Sequence, residues 1–360
     1  MKIAFYINVL SGGGAERVVA NIANYLSETE EVHVINSYKT DGEYELKNSI
    51  CHFYMDNNNY RNRLKKNFRR IRILRKYLKE NKIDVLVSFM AEPNFRASIA
   101  TIGLNTRLIV SIRNDPRKEY AGILGWFTAK LLMPLADGCV FQTNDAKQWF
   151  SKRLQKKSKI ILNAVNPCFF SFNYKGKRKN IVTCGRLTEQ KNHKLLIDAF
   201  AKIKNQVEDN LLIYGEGILR EELENEIKIL NLQDRVFLMG QTNDVASAIG
   251  SAKLFILSSD YEGMPNALME AMTLGIPCIS TDCPCGGPKM IIDDGVNGFL
   301  VSPNEVDELA MKIVYVLTIT DLNRISFNAK VTAEQMFNIS QINESWKEYI
   351  KEQVIHQKWK

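Results

Sequence analysis

The sequence predicts an α/β protein built from two doubly wound parallel-sheet domains, and three observations carry this prediction. Short apolar runs alternate with helical stretches along the chain, which is typical of a parallel sheet covered on both faces. The alternation restarts at Ile181, after a polar and basic stretch from Asn173 to Asn180. The chain has 360 residues, which is too long for one ordinary core and suits two domains.

The first predicted domain spans residues 1–165. Its elements are expected in the order strand 2–9, helix near 15–27, strand 32–37, and further strands at the apolar runs 85–89 and 108–112. Helical stretches separate the later runs. One of them, from residue 60 to 79, is strongly basic.

The second predicted domain spans residues 166–340. Its strands are expected at the runs that begin at Ile181, Leu211 and Arg235, each of which ends near a glycine. An amphipathic helix should follow His193, with an apolar face formed by Leu195, Leu196, Ala199, Phe200 and Ile203. The segment 341–360 is expected to form a C-terminal helix that returns to the first domain.

Pro265 predicts the start of a helix that runs from about Asn266 through Met272. Proline presets φ for a helix start and lacks an N–H group that would be unpaired there. Glu262 then lies in the entry loop, and Glu270 lies about one turn inside the helix. A carboxylate before a helix N-terminus can hold sugar hydroxyls while free amides face a phosphate, here those of Gly263, Met264 and Asn266. The alternative is a surface helix with two solvated acids.

This spacing resembles the Glu-x7-Glu motif of retaining GT-B glycosyltransferases of family 4, of the polysaccharide-biosynthesis type. The resemblance covers nearly the whole chain and implies two Rossmann-like domains with a deep interdomain cleft. Gly185 and Arg186, followed by Lys191, are similar to the family's Gly-Arg-x4-Lys-Asn element. The arginine fork and the lysine point charge can converge on a diphosphate. Alternatively, both are ordinary loop charges.

The resemblance also implies which residues surround the donor. Residues 11–17 resemble the family's Gly-Gly-Ala-Glu-Arg loop, which faces the donor phosphates and the acceptor; Arg17 stands where the dinucleotide fingerprint would need its third glycine. The predicted donor-binding residues are Gly13, Gly14, Gly185, Gly215, Gly217, Phe237, Gly240, Gly263, Met264, Pro265, Asn266 and Glu270. Glu270 is expected on the ribose hydroxyls.

One departure from the family concerns the acceptor side. Many members carry a histidine after the strand that here ends at Ile112, but this chain continues with Arg113, Asn114 and Asp115. A mechanism that depends on that histidine is therefore not expected. The acceptor-side candidates are Arg17, Asn94, Arg113, Asn114 and Asp115.

Positive charge is concentrated in the amino half of the chain. The net charge is +8, and residues 60–79 contain no acid. In this stretch Leu64, Phe68, Ile71, Leu74 and Leu78 are expected to form one apolar stripe flanked by basic residues. A basic amphipathic helix fits an anionic membrane surface, and a core helix with a solvated basic face fits equally well. Nucleic-acid binding is not expected, because no nucleic-acid module is recognisable.

The composition indicates which class of protein this chain belongs to. Hydrophobic residues make up 45% and charged residues 24% of the chain, as in globular proteins. The seven cysteines show no paired spacing for a metal site and are expected to be reduced thiols of a cytoplasmic protein. Neither an export signal nor an apolar run of membrane-spanning length is recognisable.

These observations predict a retaining, metal-independent hexosyltransferase. It would move a hexose or N-acetylhexosamine from a UDP-sugar to a saccharide acceptor, expected to be linked to polyprenyl diphosphate, in surface polysaccharide assembly. The predicted catalytic residues are Glu262, Arg186 and Lys191, and no cofactor is expected because no Asp-x-Asp triplet is available for a metal. The alternatives are a GT-B sugar-nucleotide epimerase and a non-catalytic nucleotide-sugar-binding regulator.

Overall fold

The computed structural model describes residues 1–55, 63–318 and 322–355. The chain divides into two compact units. Unit 1 contains Met1–Asn163 together with the chain from Ser340, and unit 2 contains Ala164–Ile339. Each unit is built around one parallel sheet.

The sheet of unit 1 has seven described strands. They are β1 (Lys2–Ile7), β2 (Glu31–Asn36), β3 (Cys51–Tyr54), β4 (Val85–Phe89), β5 (Arg107–Ser111), β6 (Gly138–Phe141) and β7 (Ser158–Ile160). Their order is β3-β2-β1-β4-β5-β6-β7, and every pairing is parallel. All five residues of β4 are buried, as expected of a strand covered on both faces.

Seven α-helices of unit 1 precede the unit boundary. They are α1 (Gly14–Leu26), α2 (Arg63–Glu80), α3 (Ala91–Ala100), α4 (Pro116–Glu119), α5 (Gly122–Phe127), α6 (Asn144–Trp149) and α7 (Lys152–Gln155). A π-helical turn over Thr128–Leu132 and a 3-10 turn over Met133–Leu135 follow α5.

Unit 2 has a six-stranded parallel sheet. Its strands are β8 (Ile181–Cys184), β9 (Leu211–Tyr214), β10 (Val236–Gly240), β11 (Leu254–Leu257), β12 (Cys278–Thr281) and β13 (Phe299–Val301), in the order β10-β9-β8-β11-β12-β13. Its helices are α8 (Pro167–Ser171), α9 (His193–Ile203), α10 (Arg220–Ile229), α11 (Val245–Gly250), α12 (Asn266–Thr273), α13 (Gly287–Ile291), α14 (Val306–Thr318) and α15 (Leu322–Met336), with a 3-10 turn at Glu189–Lys191.

The prediction of two doubly wound parallel-sheet domains is therefore confirmed. The helix expected after Pro265 is α12, and Pro265 itself is its N-cap residue. The predicted apolar face of α9 is also confirmed, because Leu195, Leu196 and Phe200 are among the buried residues that form the unit 2 core.

The last helix, α16 (Ile339–Ile355), packs on unit 1. The Trp346 ring stacks on Phe89 of β4 with 5.6 Å between the ring centroids. The Tyr349 hydroxyl accepts a hydrogen bond from the Cys139 amide at 2.8 Å and donates to the Lys157 carbonyl. Both side chains are almost completely buried. The terminal helix thus packs against β4 and β6 of the unit 1 sheet and against the residue before β7.

The apolar stripe predicted for the basic stretch is wrong in its amino-terminal half. Leu64 is 78% and Phe68 is 63% exposed, whereas Asn67 and Arg70 are buried. Leu74 and Leu78 are buried as expected. The buried face of α2 is therefore polar at one end, because it meets a cluster of polar side chains rather than the apolar core. Residues 60–62 of the predicted stretch lie outside the described residues.

We predict that Tyr349→Phe lowers the free energy of unfolding of unit 1 by about 1 to 3 kcal/mol, because it removes the buried hydroxyl that the Cys139 amide contacts. Tryptophan fluorescence during urea denaturation measures this unit selectively, since Ala164–Ile339 contains no tryptophan. The control is Tyr315→Phe, on a 53% exposed side chain of unit 2. Equal stability of wild type and Tyr349→Phe would show that the hydroxyl contributes nothing.

Candidate active site

The candidate site of unit 2 lies at the carboxyl ends of β8 and β11. These strands are neighbours, but the chain continues from β8 toward β9 on one side and from β11 toward β12 on the other. Open α/β sheets bind ligands at such a switch point, where the loops after the two strands diverge. The loop after β8 carries Gly185 and Arg186, and the loop after β11 leads to Glu262. The sheet order thus brings together two motifs that are far apart in sequence.

Lys191 and Glu262 form a direct ion pair. The Lys191 Nζ atom donates to Glu262 Oε1 at 2.5 Å, and the Ser259 hydroxyl donates to the same oxygen at 2.8 Å. The Glu262 side chain is 7% and the Lys191 side chain 16% exposed. A pair this buried is stable only when each charge retains its partner. The sequence analysis assigned the two residues to different parts of the donor and did not predict their contact.

The two loops are tied together by further hydrogen bonds. The Asn192 amide group donates to Asp260 at 2.7 Å, and its Oδ1 atom caps α9 by accepting from the Leu195 amide at 3.1 Å. The Gln190 side chain donates to the Tyr261 carbonyl at 3.0 Å. These bonds position Lys191 beside Glu262.

Arg186 and His193 occupy contrasting environments in the same loop. The Arg186 side chain is exposed and forms no ion pair within the described part of the chain. The His193 ring is buried beside the backbone of Gly185 and Arg186, and burial and the nearby Lys191 ammonium lower its pKa to about 4. His193 is therefore neutral at pH 7, and Arg186 is the cation that an incoming anion can reach.

Glu270 lies one turn inside α12, as predicted. It is 5% exposed, so it is not the solvated acid of the alternative interpretation. Its carboxylate also lies near the end of β8. The pKa of the Cys184 thiol is raised to about 11, mainly by burial and further by the Glu270 charge. Glu262 and Glu270 are thus buried at the same edge of the sheet.

The glycines of unit 2 permit close approach between backbone segments. Gly215 has φ +142°, and a Cβ atom on it would lie 1.9 Å from the Gly185 carbonyl oxygen. A Cβ atom on Gly287 would lie 1.7 Å from the Gly263 carbonyl oxygen. A side chain on Gly215 would therefore displace the loop that carries Arg186, and a side chain on Gly287 would displace the loop that carries Glu262.

The other predicted donor residues differ in exposure. Met264 is 6% and Phe237 is 37% exposed. Gly263 and Pro265 are buried, whereas Asn266, Gly185 and Gly240 are partly exposed and Gly217 is exposed. In unit 1, Gly13 is the N-cap residue of α1, whose first residue is Gly14. Within the described ranges 1–55, 63–318 and 322–355, no group of three His, Cys, Asp or Glu side chains is arranged to hold a metal ion.

The acceptor-side candidates of unit 1 divide into two kinds. Asn114 and Asp115 serve the local turn, since the Asn114 side chain accepts from the Asp115 amide and the Asp115 side chain caps α4. Arg113 and Asn94 retain unused polar atoms. The Arg113 Nε and Nη1 atoms and the Asn94 Oδ1 atom are buried without a hydrogen-bond partner among the described residues. Arg17, on the exposed side of α1, is engaged in other contacts.

Arg113 lies in a buried polar cluster with Glu119. Its Nη2 atom donates to Asn163, and its guanidinium lies 5.6 Å from the centroid of the Phe89 ring. Burial lowers its pKa to about 9, although the carboxylates of Glu119 and Glu16 oppose this shift. The guanidinium is still protonated at neutral pH, and its Nε and Nη1 atoms have no acceptor among the described residues.

Glu119 is a site residue that the sequence analysis missed. Its carboxylate accepts from the Ala91 amide at 2.9 Å, and its Oε2 atom is buried without a partner in the described structure. Burial raises its pKa to about 7, against the opposing effect of that amide and of Arg113. No motif marks this position, because a single acid after Arg117 and Lys118 resembles any surface turn.

Two sequence models of known families match the chain. The model described as Glycosyltransferase Family 4 matches residues 12–168, and the model described as Glycosyl transferases group 1 matches residues 168–331. Together they cover residues 12–331.

Two relatives from Campylobacter jejuni match over nearly their whole length. One, named GalNAc-alpha-(1->4)-GalNAc-alpha-(1->3)-diNAcBac-PP-undecaprenol alpha-1,4-N-acetyl-D-galactosaminyltransferase, is 32% identical over 98% of this chain and 99% of its own. The other, named N-acetylgalactosamine-N,N'-diacetylbacillosaminyl-diphospho-undecaprenol 4-alpha-N-acetylgalactosaminyltransferase, is 30% identical over 94% of this chain and 96% of its own.

Solved structures show the same fold at lower sequence identity. HepE of Anabaena in complex with UDP-glucose has a TM-score of 0.79 at 22% identity, covering 98% of this chain and 100% of the other. Sucrose-phosphate synthase of Thermosynechococcus elongatus has a TM-score of 0.83 at 17% identity, covering 98% of both chains. Named transferases align with nearly the whole chain, both family models match it, and the solved structures have the same fold. The chain therefore belongs to the family 4 glycosyltransferases of the GT-B fold.

Proposed function

We propose that this glycosyltransferase moves a hexose or N-acetylhexosamine from a UDP-sugar to a lipid-linked saccharide, with retention of configuration and without a metal ion. The observation that carries the proposal is the buried Lys191–Glu262 pair beside the exposed Arg186 at the unit 2 switch point. UDP-glucose in the HepE structure and diphospho-undecaprenol in the names of the two Campylobacter relatives support the choice of donor and acceptor.

The cations of unit 2 can stabilise the negative charge of the leaving UDP. As the bond between the sugar carbon and the diphosphate oxygen breaks, negative charge develops on the phosphate. The exposed Arg186 fork and the Lys191 ammonium stabilise this charge, because they are already in place and need no reorganisation. The acceptor oxygen bonds to the same sugar carbon on the same face, and its proton passes to the leaving phosphate.

Glu262 has the position and the charge to stabilise the sugar. The Lys191 ammonium and the Ser259 hydroxyl both donate to it, which favours the ionised carboxylate. A fixed negative charge beside the anomeric carbon stabilises a developing oxocarbenium ion. When the diphosphate binds, Lys191 can bridge it to Glu262. Glu270, buried one turn into α12, is assigned to the ribose hydroxyls.

We assign acceptor binding to unit 1. The unused donors of Arg113 and the unused oxygens of Asn94 and Glu119 lie at the carboxyl ends of β4 and β5, where they can bind saccharide hydroxyls. A buried polar group without a partner is costly, so such atoms mark positions where a ligand is expected. Arg17, Asn114 and Asp115 are assigned a supporting part on the same side.

The surface of unit 1 fits a location on the inner face of the cell membrane. Ile123 is 90% and Trp126 is 55% exposed on α5, and Leu64 and Phe68 are exposed on the basic helix α2. The helix α3 packs against both α2 and the turn that follows α5. Exposed apolar side chains next to cations are suited to an anionic lipid surface. No described helix is long and apolar enough to cross a bilayer.

The transfer itself is tested by offering a panel of UDP-sugars together with saccharides on short polyprenyl diphosphates, in excess EDTA. We expect one UDP-sugar to give an elongated product whose new linkage has the anomeric configuration of the donor, as measured by NMR. An altered UDP-sugar formed without acceptor would indicate the epimerase, donor binding without turnover would indicate the regulator, and loss of activity in EDTA restored by manganese would exclude the metal-independent mechanism.

The control for this test uses the cations of the loop after β8. Arg186→Ala and Lys191→Ala should each lower kcat by roughly a hundredfold or more, the scale of losing one preorganised charge. Lys202→Ala, on an exposed lysine of α9, should have activity near that of the wild type. Near-normal kcat in both loop variants would contradict the diphosphate assignment.

We predict different kinetic effects for the two glutamates. Glu262→Gln removes charge beside the reacting carbon, so kcat should fall by about a hundredfold while the donor KM changes little. Glu270→Ala should mainly raise the donor KM, because contacts to the ribose stabilise ground state and transition state alike. The matched control is Glu224→Gln on the exposed face of α10. The opposite pattern would mean that the two roles are exchanged.

We predict that exchanging Ile123 and Trp126 for serine reduces sedimentation with vesicles that contain phosphatidylglycerol. Exchanging Lys76 and Lys79 for glutamine should have a similar effect, since each nearby cation contributes about 1 kcal/mol of attraction. Activity on a short-chain acceptor should be retained. The control exchanges Ile218 and Ile229 of unit 2, which are 86% and 72% exposed. Undiminished sedimentation of the unit 1 variants would mean that α2 and α5 present only solvated surface.

A further inference from the structure

Unit 1 contains two buried arginines at its own switch point. The chain continues from β1 toward β2 on one side of the sheet and from β4 toward β5 on the other, so the crevice lies at the carboxyl ends of β1 and β4. Arg96 of α3 is 2% exposed and Arg70 of α2 is 4% exposed. Arg96 Nη1 donates at 2.8 Å to Asn8, which follows β1 directly. The arginines therefore lie at the end of the sheet where ligands bind in this class of fold.

Arg96 has a full set of partners. Its Nη2 atom forms an ion pair with Glu92 at 2.8 Å, and its Nε atom donates to Asn67 at 2.8 Å. Tyr6 and Asn8 accept from its Nη1 atom. The carboxylate of Glu92 is thus already committed to Arg96.

Arg70 lacks such partners. Its Nε atom is buried without an acceptor, and no carboxylate pairs with the guanidinium within residues 1–55, 63–318 and 322–355. Its guanidinium lies 5.6 Å from the centroid of the Tyr38 ring. Burial and the neighbouring Arg96 lower the pKa of Arg70, and Tyr6, Glu92 and Tyr38 oppose that shift. Among the described residues, the two buried arginines therefore have one paired carboxylate between them, that of Glu92.

Among the described residues this arrangement is costly, and a bound anion would complete it. A buried charge without a partner costs several kcal/mol, and a ring face offsets only part of that. Leu74 and Leu78 continue the same buried face of α2, so Arg70 lies where this face changes from apolar to charged. A buried charge that lacks a partner and lies at the ligand-binding edge of a sheet indicates a binding function.

We propose that Arg70 binds an oxyanion of the acceptor, at the crevice between the carboxyl ends of β1 and β4. This inference rests on the proposed function, because it takes unit 1 as the acceptor-binding unit and leaves the donor diphosphate to Arg186 and Lys191. The planar guanidinium matches two oxygens of a phosphate or of a carboxylate. Tyr38, whose ring faces the guanidinium, is 38% exposed.

The oxyanion has two chemically similar sources, and three acceptors distinguish them. The first is a neutral disaccharide on a short polyprenyl diphosphate, the second is the same disaccharide on a neutral alkyl group, and the third is a disaccharide with a uronic acid on that alkyl group. Arg70→Met should raise the KM of the acceptor that carries the recognised oxyanion by about 10 to 100-fold, the range for losing a charge-assisted hydrogen bond. The donor KM and the KM of the other acceptors should stay within about twofold of wild type.

A second measurement separates binding from a structural role. If Arg70 is kept for a ligand, Arg70→Met removes an unpaired buried charge, and the thermal midpoint of tryptophan fluorescence should stay the same or rise. Inorganic pyrophosphate should raise this midpoint in Arg186→Ala, where the donor site is weakened, and should not raise it when Arg70→Met is added. Arg153→Met makes the same exchange on an exposed arginine of α7 and should change neither readout.

Two results would overturn the proposal. An equal loss with all three acceptors, or a lower thermal midpoint for Arg70→Met, would mean that Arg70 only supports the packing of α2. Failure of the wild type to elongate any acceptor would refute the proposed function instead. In that case the pyrophosphate comparison still decides the Arg70 site, since a shift that depends on Arg70 supports it and an unchanged midpoint refutes it.

Discussion

The contact between Lys191 and Glu262 is the interaction on which the site of unit 2 depends. Two residues 71 positions apart share one short, buried ion pair, and neither charge is stable there without the other. Their loops are consequently fixed against each other. The hydrogen bonds of Asn192 and Gln190 hold the two loops together at this point. The exposed Arg186 belongs to the loop that this ion pair fixes.

The same sheet topology has opposite electrostatics in the two units. At the switch point of unit 2, the buried charges are matched and the free cation, Arg186, is exposed. In unit 1, Arg70 and Arg113 are buried with donors unused among the described residues. A matched pair suits a site whose charge must be fixed before a reaction begins, whereas an unmatched cation gains its partner only on binding. The two units therefore differ in side-chain pairing rather than in sheet topology.

Local chemistry made much of the fold predictable. Pro265 fixes the start of α12, and the spacing of Leu195, Leu196 and Phe200 identifies the buried face of α9. The predictions that were wrong concern residues whose burial depends on tertiary contacts. The apolar period of α2 predicts that Leu64 and Phe68 are buried, but the polar cluster around Arg96 instead buries residues such as Arg70.

The site was predictable to the extent that motifs mark it. Arg186, Lys191 and Glu262 follow from family resemblance, yet their pairing does not, because a one-dimensional pattern contains no distances. Glu119 had no signal, since a lone acid acquires its unusual environment only when α4 packs beside Ala91. Buried polar atoms with no partner are a property of packing, and sequence alone cannot reveal them.

Glu119 gives unit 1 a stability that depends on pH. Its pKa in the folded chain is about 7, against an ordinary value of 4.5, because its carboxyl group is buried. Below pH 4.5 the group is protonated whether the chain is folded or unfolded. As pH rises from there to about 7, the unfolded chain releases the proton that the folded chain retains, so the free energy of unfolding falls. Near neutral pH the group beside Arg113 therefore alternates between a neutral acid that donates a hydrogen bond and a carboxylate that only accepts one, and a bound saccharide hydroxyl would select between the two.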